Sequence, residues 1–255
     1  MMNDPRWRIV TAVVLAAVWH LPLTMPATAQ QSYSIYPVYD GYTKNSDGTL
    51  TLSFAYFSHN RETVTVPIGA DNAFSPGPPD RGQPETFLPG HHRWQCIVVV
   101  DAEFDGNLQW TITHRGETTS TSESMLQYNW EFDASGVSAI GRGFNPVDSP
   151  RDSCVNRPPI VRVLGYGGRR GPHELYVDVG AELKLFGSVR DEGLPKGQQL
   201  TSRWRLVSGP GGVLFEDATK PRTRATFEVP GRYELELSGS DSLFDAQTRV
   251  SVTVQ

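Results

Sequence analysis

From about residue 33 to the C-terminus, apolar side chains return at every second position, and no stretch keeps a helical stripe through ten residues. In "GRYELELSGSD", Tyr233, Leu235 and Leu237 share one parity while Arg232, Glu234 and Glu236 take the other, so one strand face is buried and one is wet. "RVSVTV" repeats the pattern with Val250, Val252 and Val254 inward. Ala225, Phe227 and Val229, then Trp204 and Leu206, then Leu183 and Leu185, supply three more inward sets. Turn formers such as "NSDG", "FDGN" and "SGPGG" punctuate these short strands. The pattern predicts an all-β protein made of two tandem β-sandwich, immunoglobulin-like domains.

The first half is as strand-rich as the second: "TLTLSFAYF", "ETVTVPIG", "HRWQCIVVV", "LQWTITH" and "ETTSTSESM" each read as a strand. Between "VPIG" and "GHHRW" runs "ADNAFSPGPPDRGQPETFLP", which reads as a stiff proline-rich crossover between sheets, with a binding loop as the alternative. "DASGVSAIGRGFNPVDSPRDSCVNRPP" loses alternation and reads as a linker. Residues 1–29 read as a signal peptide, because Arg6 and Arg8 precede the short apolar run "IVTAVVLAAVW" and Ala27 and Ala29 suit cleavage after Ala29. The expected organisation is therefore a signal peptide 1–29, a first sandwich 30–132, a linker 133–156 and a second sandwich 157–255.

Composition narrows the function classes. Of the 255 residues, 23 are basic and 28 acidic, a formal net charge of −5. Such a balance gives no basic footprint for nucleic acid. Export would place Cys96 and Cys154 in an oxidising compartment, where two cysteines most simply form one disulfide; a buried free thiol beside a surface cysteine is the alternative. The chain lacks an N-x-S/T sequon with an acceptable middle residue, which favours a bacterial source.

Several segments of the second half occur in a familiar order. "NRPPIVRV", "RDEGLP", "WRLVSGPGG", "PGRYELELSGSD" and the final "RVSVTV" resemble a bacterial PKD-type or related immunoglobulin-like repeat. The resemblance spans residues 156–255, and departs in having "WRLVSGPGG" where the better-known form carries W-x-F-G-D-G. It implies a sandwich serving as spacer or adhesion module, without catalysis. Tyr233 stands where a tyrosine corner would, and Trp204 where the large aromatic of a middle strand would. The first half resembles segments of uncharacterised secreted bacterial β-sandwich proteins, which adds no function.

Three groups of residues carry candidate chemistry. "PGHHRWQC" places His91, His92 and Cys96 within eight positions, yet strand parity sends His91 to one face and His92, Trp94 and Cys96 to the other. His92 and Cys96 would then stand about 13 Å apart, too far for one zinc ion, so no metal is assigned there. Tyr36 and Tyr39, within a row of tyrosines at every third position that includes Tyr33 and Tyr42, and Tyr128, Trp130 and Phe132 on a strand "YNWEF", are candidates for stacking on sugar rings; the alternative is core packing. Asp191, Glu192, Asp241 and Asp245 are loop acids at sandwich ends where calcium could find oxygen ligands, and a related sandwich could hold calcium near Asn156. Enzyme signatures are lacking: G-x-S-x-G, H-E-x-x-H, phosphate-loop and dinucleotide motifs are missing.

The sequence thus predicts an exported, non-catalytic interaction or structural protein of the periplasm or cell surface, with no cofactor, and with a protein or polysaccharide of the cell envelope as partner. A carbohydrate-binding module is the alternative, and a polysaccharide-active or metal-dependent enzyme the third reading.

Overall fold

The computed structural model describes residues 32–122, 125–143, 145–165 and 174–255. The expected signal peptide lies outside the described residues. In the first half, eight strands follow in order: β1 (Ile35–Lys44), β2 (Leu50–Ser58), β3 (Val64–Thr65), β4 (Asn72–Ser75), β5 (Thr86–Phe87), β6 (Gly90–Val100), β7 (Gln109–His114) and β8 (Glu117–Ser120). They pair as the antiparallel sheets β1-β2-β6 and β4-β7-β8, with β3-β5 as a short ribbon. Between them lies an aromatic core in which Phe54, Phe74, Phe87, Tyr56 and Trp110 are essentially fully buried.

The second half holds β9 (Ile160–Leu164), β10 (Glu174–Val177), β11 (Leu183–Arg190), β12 (Thr201–Ser208), β13 (Val213–Phe215), β14 (Arg222–Phe227), β15 (Gly231–Ser240) and β16 (Asp245–Val254). Two four-stranded sheets, β10-β16-β15-β12 and β13-β14-β11-β9, face each other; among the described strands of this half, only β10 and β16 pair in parallel. Their core is the set that alternation places inward, with Trp204, Tyr233, Leu235, Leu237, Val250 and Val252 buried. Tyr233 Oη donates to the Val229 carbonyl oxygen at 2.8 Å, the tyrosine-corner bond, and Trp204 Nε1 donates to the Pro221 carbonyl oxygen at 3.0 Å. The architecture is all-β, two immunoglobulin-like β-sandwiches, interrupted by the seven-residue helix α1 (Ala134–Ile140).

Departures from simple alternation have local causes. Val229 is exposed, because the chain turns at Pro230 and Gly231 as soon as β14 ends. Glu236, on the outward parity, is nonetheless almost fully buried: Arg205 Nε and Arg249 Nε each donate to its carboxylate, at 2.7 and 3.0 Å, and their stems cover it. "ETVTVPIG" contributes only Val64 and Thr65 to a strand. "YNWEF" is not a strand: Tyr128–Trp130 form a 3-10 turn, and Phe132 N–H then donates to the Tyr42 carbonyl oxygen. The proline-rich crossover is held from within, since buried Asn72 donates to the Val66 and Pro84 carbonyl oxygens, and Gln83 donates to those of Asn72 and Pro79.

The described residues of 133–143 and 145–156 make contacts with the first sandwich. Asp133 caps α1 through Gly136 N–H, and Ile140 is buried. Bridges join Val99 to Arg151 and Val98 to Cys154. Cys96 and Cys154 form a disulfide, with Cα atoms 4.8 Å apart. It closes a loop over a sequence separation of 58, for which the chain-entropy estimate is about 4 kcal/mol. The paired change Cys96→Ala and Cys154→Ala is expected to lower unfolding stability by about 2 to 4 kcal/mol in a urea titration; an unchanged midpoint would mean that the bridge adds nothing to non-covalent packing.

Candidate functional site

The most concentrated polar chemistry among the described residues lies where the second sandwich begins, around Arg157 and the loop that follows β11. Arg157 and Glu192 are both buried. The Arg157 backbone N–H donates to Glu192 Oε1 at 2.6 Å, and the guanidinium Nη2 lies 3.5 Å from Glu192 Oε2. The same Nη2 donates to the Trp94 carbonyl oxygen at 2.6 Å, so one side chain joins a first-half strand to a second-half loop. Burial pushes the Glu192 carboxyl up to about 7, against the opposing pull of Arg157. Burial likewise lowers Arg157, with Glu192 working the other way.

Trp94 can offer that carbonyl because β6 bulges there. Tyr56 pairs with His92 and Phe54 with Cys96, leaving Ala55 opposite Arg93, Trp94 and Gln95. Trp94 takes φ of 58°, and Asp40 stabilises the bulge by accepting from Trp94 N–H at 3.0 Å and from Arg93 Nε at 2.8 Å. Trp94 is therefore half-buried on the bulge instead of standing in the inward row with Cys96.

The four loop acids part company. Glu192 serves Arg157. Asp245 is exposed at the start of β16, paired with Ser240. Asp191 and Asp241 come together in lining a pocket of about 160 Å³ with Gly193, Leu194, Gln198 and Leu200. Asp191 Oδ2 accepts from Gly193 N–H at 2.9 Å; Asp241 Oδ1 accepts from Leu243 and Phe244 N–H at 2.8 and 2.6 Å. Their other oxygens, Asp191 Oδ1 and Asp241 Oδ2, are buried without a hydrogen bond, as are both amide atoms of Asn156. Burial, and the neighbouring Asp241 carboxylate, hold the Asp191 carboxyl above its ordinary range. Buried unpartnered carboxylate oxygens are costly. Hard, anionic oxygens of this kind are of the donor type that calcium takes.

The other candidates are dispersed. Tyr39 is in the first core, and half-buried Trp130 leans on it with ring centroids 5.6 Å apart. Phe132 is half-buried, Tyr128 is 91% exposed on its turn, and Tyr36 is exposed on the outer side of β1. These five do not make one platform. His92 stacks on buried Tyr56 and bonds the Pro89 carbonyl oxygen through Nε2. No group of three or more His, Cys, Asp or Glu side chains that could hold a metal occurs among the described residues, and no helix there is long and apolar enough to cross a membrane. Sequence reasoning missed Arg157, whose only signal was its place in "CVNRPP" beside the expected linker end.

The clasp has a measurable consequence. Arg157→Met leaves Glu192 buried and unpaired, and is expected to cost about 3 to 5 kcal/mol in chemical denaturation. Adding Glu192→Gln should restore part of that loss by removing the lone charge; equal stabilities of the single and double variants would show the ion pair to be idle.

No protein-family model matches the chain. Among solved structures, the PKD domain from KIAA 1837 protein is 27% identical over 33% of this chain and 81% of its own, with a TM-score of 0.25. The PKD domain from human KIAA0319 is 22% identical over 36% of this chain and 90% of its own, TM-score 0.24. The Clostridium thermocellum CbhA fibronectin(III)-like modules are 12% identical over 86% of this chain and 94% of their own, TM-score 0.28. The chain resembles PKD-type and other immunoglobulin-like β-sandwich domains.

Proposed function

We propose that the protein is an exported, non-catalytic interaction or structural protein of a bacterial cell envelope, in which residues 157–255 act as a spacer that presents residues 30–132 at a set angle. The observation that carries this reading is the clasp between the halves. Besides the Arg157 bond to Trp94, Lys196 Nζ lies 3.1 Å from Asp80 Oδ1, and Leu194 packs against the first core near Cys154. A freely hinged tether would not order charged and apolar side chains of both halves in this way. The disulfide suits an oxidising compartment and supports export.

Calcium belongs to the same reading. Asp191 Oδ1 and Asp241 Oδ2 would supply two of its oxygens, and the ion would offset the repulsion between the two carboxylates. Calcium is expected to raise the melting temperature of the chelator-treated protein and to leave that of Asp241→Asn nearly unmoved. An equal response of both proteins, or none in either, would remove the ion from this site. For the spacer role, non-cysteine spin labels at exposed Tyr128 and Leu214 should give one narrow distance distribution that broadens in Arg157→Met. A broad distribution in the unaltered protein would exclude a fixed angle.

A further inference from the structure

The outer face of β1-β2-β6 is covered at one end and open at the other. Near Thr51, Val137 and Ile140 of α1 lie over it, lining a small pocket with Thr43 and Asn45. At the opposite end, three consecutive cross-strand partners place Tyr36, Phe57 and His91 in a line, since Tyr36 pairs with Phe57 and Phe57 with His91. His59, on the turn after β2, joins them: its ring meets Phe57 with centroids 4.5 Å apart and Tyr36 at 5.8 Å, edge to face in both cases. Phe57 and His91 rings are 6.0 Å apart. Tyr36, His59 and His91 are exposed and Phe57 half-buried.

We propose that Tyr36, Phe57, His59 and His91 form a docking surface for a neutral polysaccharide. Four observations select that chemistry. His59 bridges the Tyr36 and Phe57 rings and Phe57 meets His91, in a strip of two inter-strand spacings, about 10 Å, comparable to two linked pyranose rings. None of the four carries a carboxylate, ammonium or guanidinium, and the nearest arginine along β6, Arg93, is spent on Asp40 and lies over the Trp94 ring at 4.9 Å. The four rings themselves carry no fixed charge with which to hold a polyanion. Its polar ring atoms are unspent: Tyr36 Oη and the imidazole nitrogens of His59 and His91 make no hydrogen bond among the described residues, unlike His92 and His114 on the same half. Aromatic faces with free donors and acceptors at their edges match a sugar's apolar ring face and its rim of hydroxyls. The strip is also rigid, because buried Asn60, next to His59, bonds Tyr33 N–H and carbonyl and the Ser58 hydroxyl, anchoring the turn and the start of β1. Little ordering entropy is then left for binding to lose.

This surface stands apart from the clasp and does not depend on the spacer role. The test is affinity electrophoresis of the full chain in gels containing xyloglucan, mixed-linkage β-glucan, galactomannan or dextran, with microcrystalline cellulose pull-down alongside. At least one polysaccharide should retard the protein, and Tyr36→Ala and His91→Ala should each weaken retention by about tenfold, while Tyr128→Ala, on an exposed ring elsewhere, leaves it unchanged. Thermal melts of the variants separate lost binding from lost folding. Absence of retention on every polysaccharide overturns the proposal, as does equal retention of the Tyr36→Ala/His91→Ala double variant. A dimer of the unaltered protein that Tyr36→Ala dissociates would reassign the strip to self-association.

Discussion

The burial of Arg157 is the constraint on which the arrangement of the two sandwiches depends. A guanidinium removed from water needs an anion and several acceptors, or the fold loses several kcal/mol. Here the anion is Glu192, from the loop after β11, and one acceptor is the Trp94 carbonyl, which faces Arg157 only because β6 bulges. The bulge rests on Asp40, in the neighbouring strand, which neutralises Arg93 and takes the Trp94 amide. A change at any of Asp40, Trp94, Arg157 or Glu192 would therefore be felt at the other three. The disulfide holds residue 154, three positions before Arg157, on β6, and the Lys196–Asp80 pair flanks the contact.

The loop that supplies Glu192 also supplies Asp191, and consecutive side chains of one loop turn to opposite tasks. Glu192 is satisfied by protein, whereas Asp191 faces Asp241 with an oxygen of each left over. Two such carboxylates repel in a low-dielectric site, and the Arg157 charge offsets that repulsion only in part. An ion there would stiffen the loop that carries Glu192 and so tighten the clasp, which couples the two features through the backbone of a single turn.

The first sandwich uses its aromatic residues in two ways. Inward, Phe54, Phe74, Phe87 and Trp110 make a densely packed core, and Trp110 Nε1 still finds Asn72 Oδ1 at 2.8 Å. Outward, the Tyr36–Phe57–His91 line is left open where α1 no longer covers the sheet. A row of partly exposed rings on a rigid face is a surface that a domain seldom leaves without use.

Alternation along the chain was enough to determine the all-β class, the inward rows of the second sandwich apart from Val229, and the burial of Cys96, because side-chain parity in a strand is a local property; the tyrosine corner was legible from the turn residue Gly231 just before Tyr233. What parity could not show was any contact made across sequence: which histidine meets which ring, that Asp191 finds Asp241 while Glu192 finds Arg157, or that "YNWEF" folds as a turn against β1. "PGHHRWQC" shows the division within eight residues. Its sequence placed His91 and His92 on opposite faces and turned Cys96 inward. Tertiary structure alone supplied the bulge at Trp94, because that bulge is held by Asp40, a charge more than fifty residues earlier in the chain.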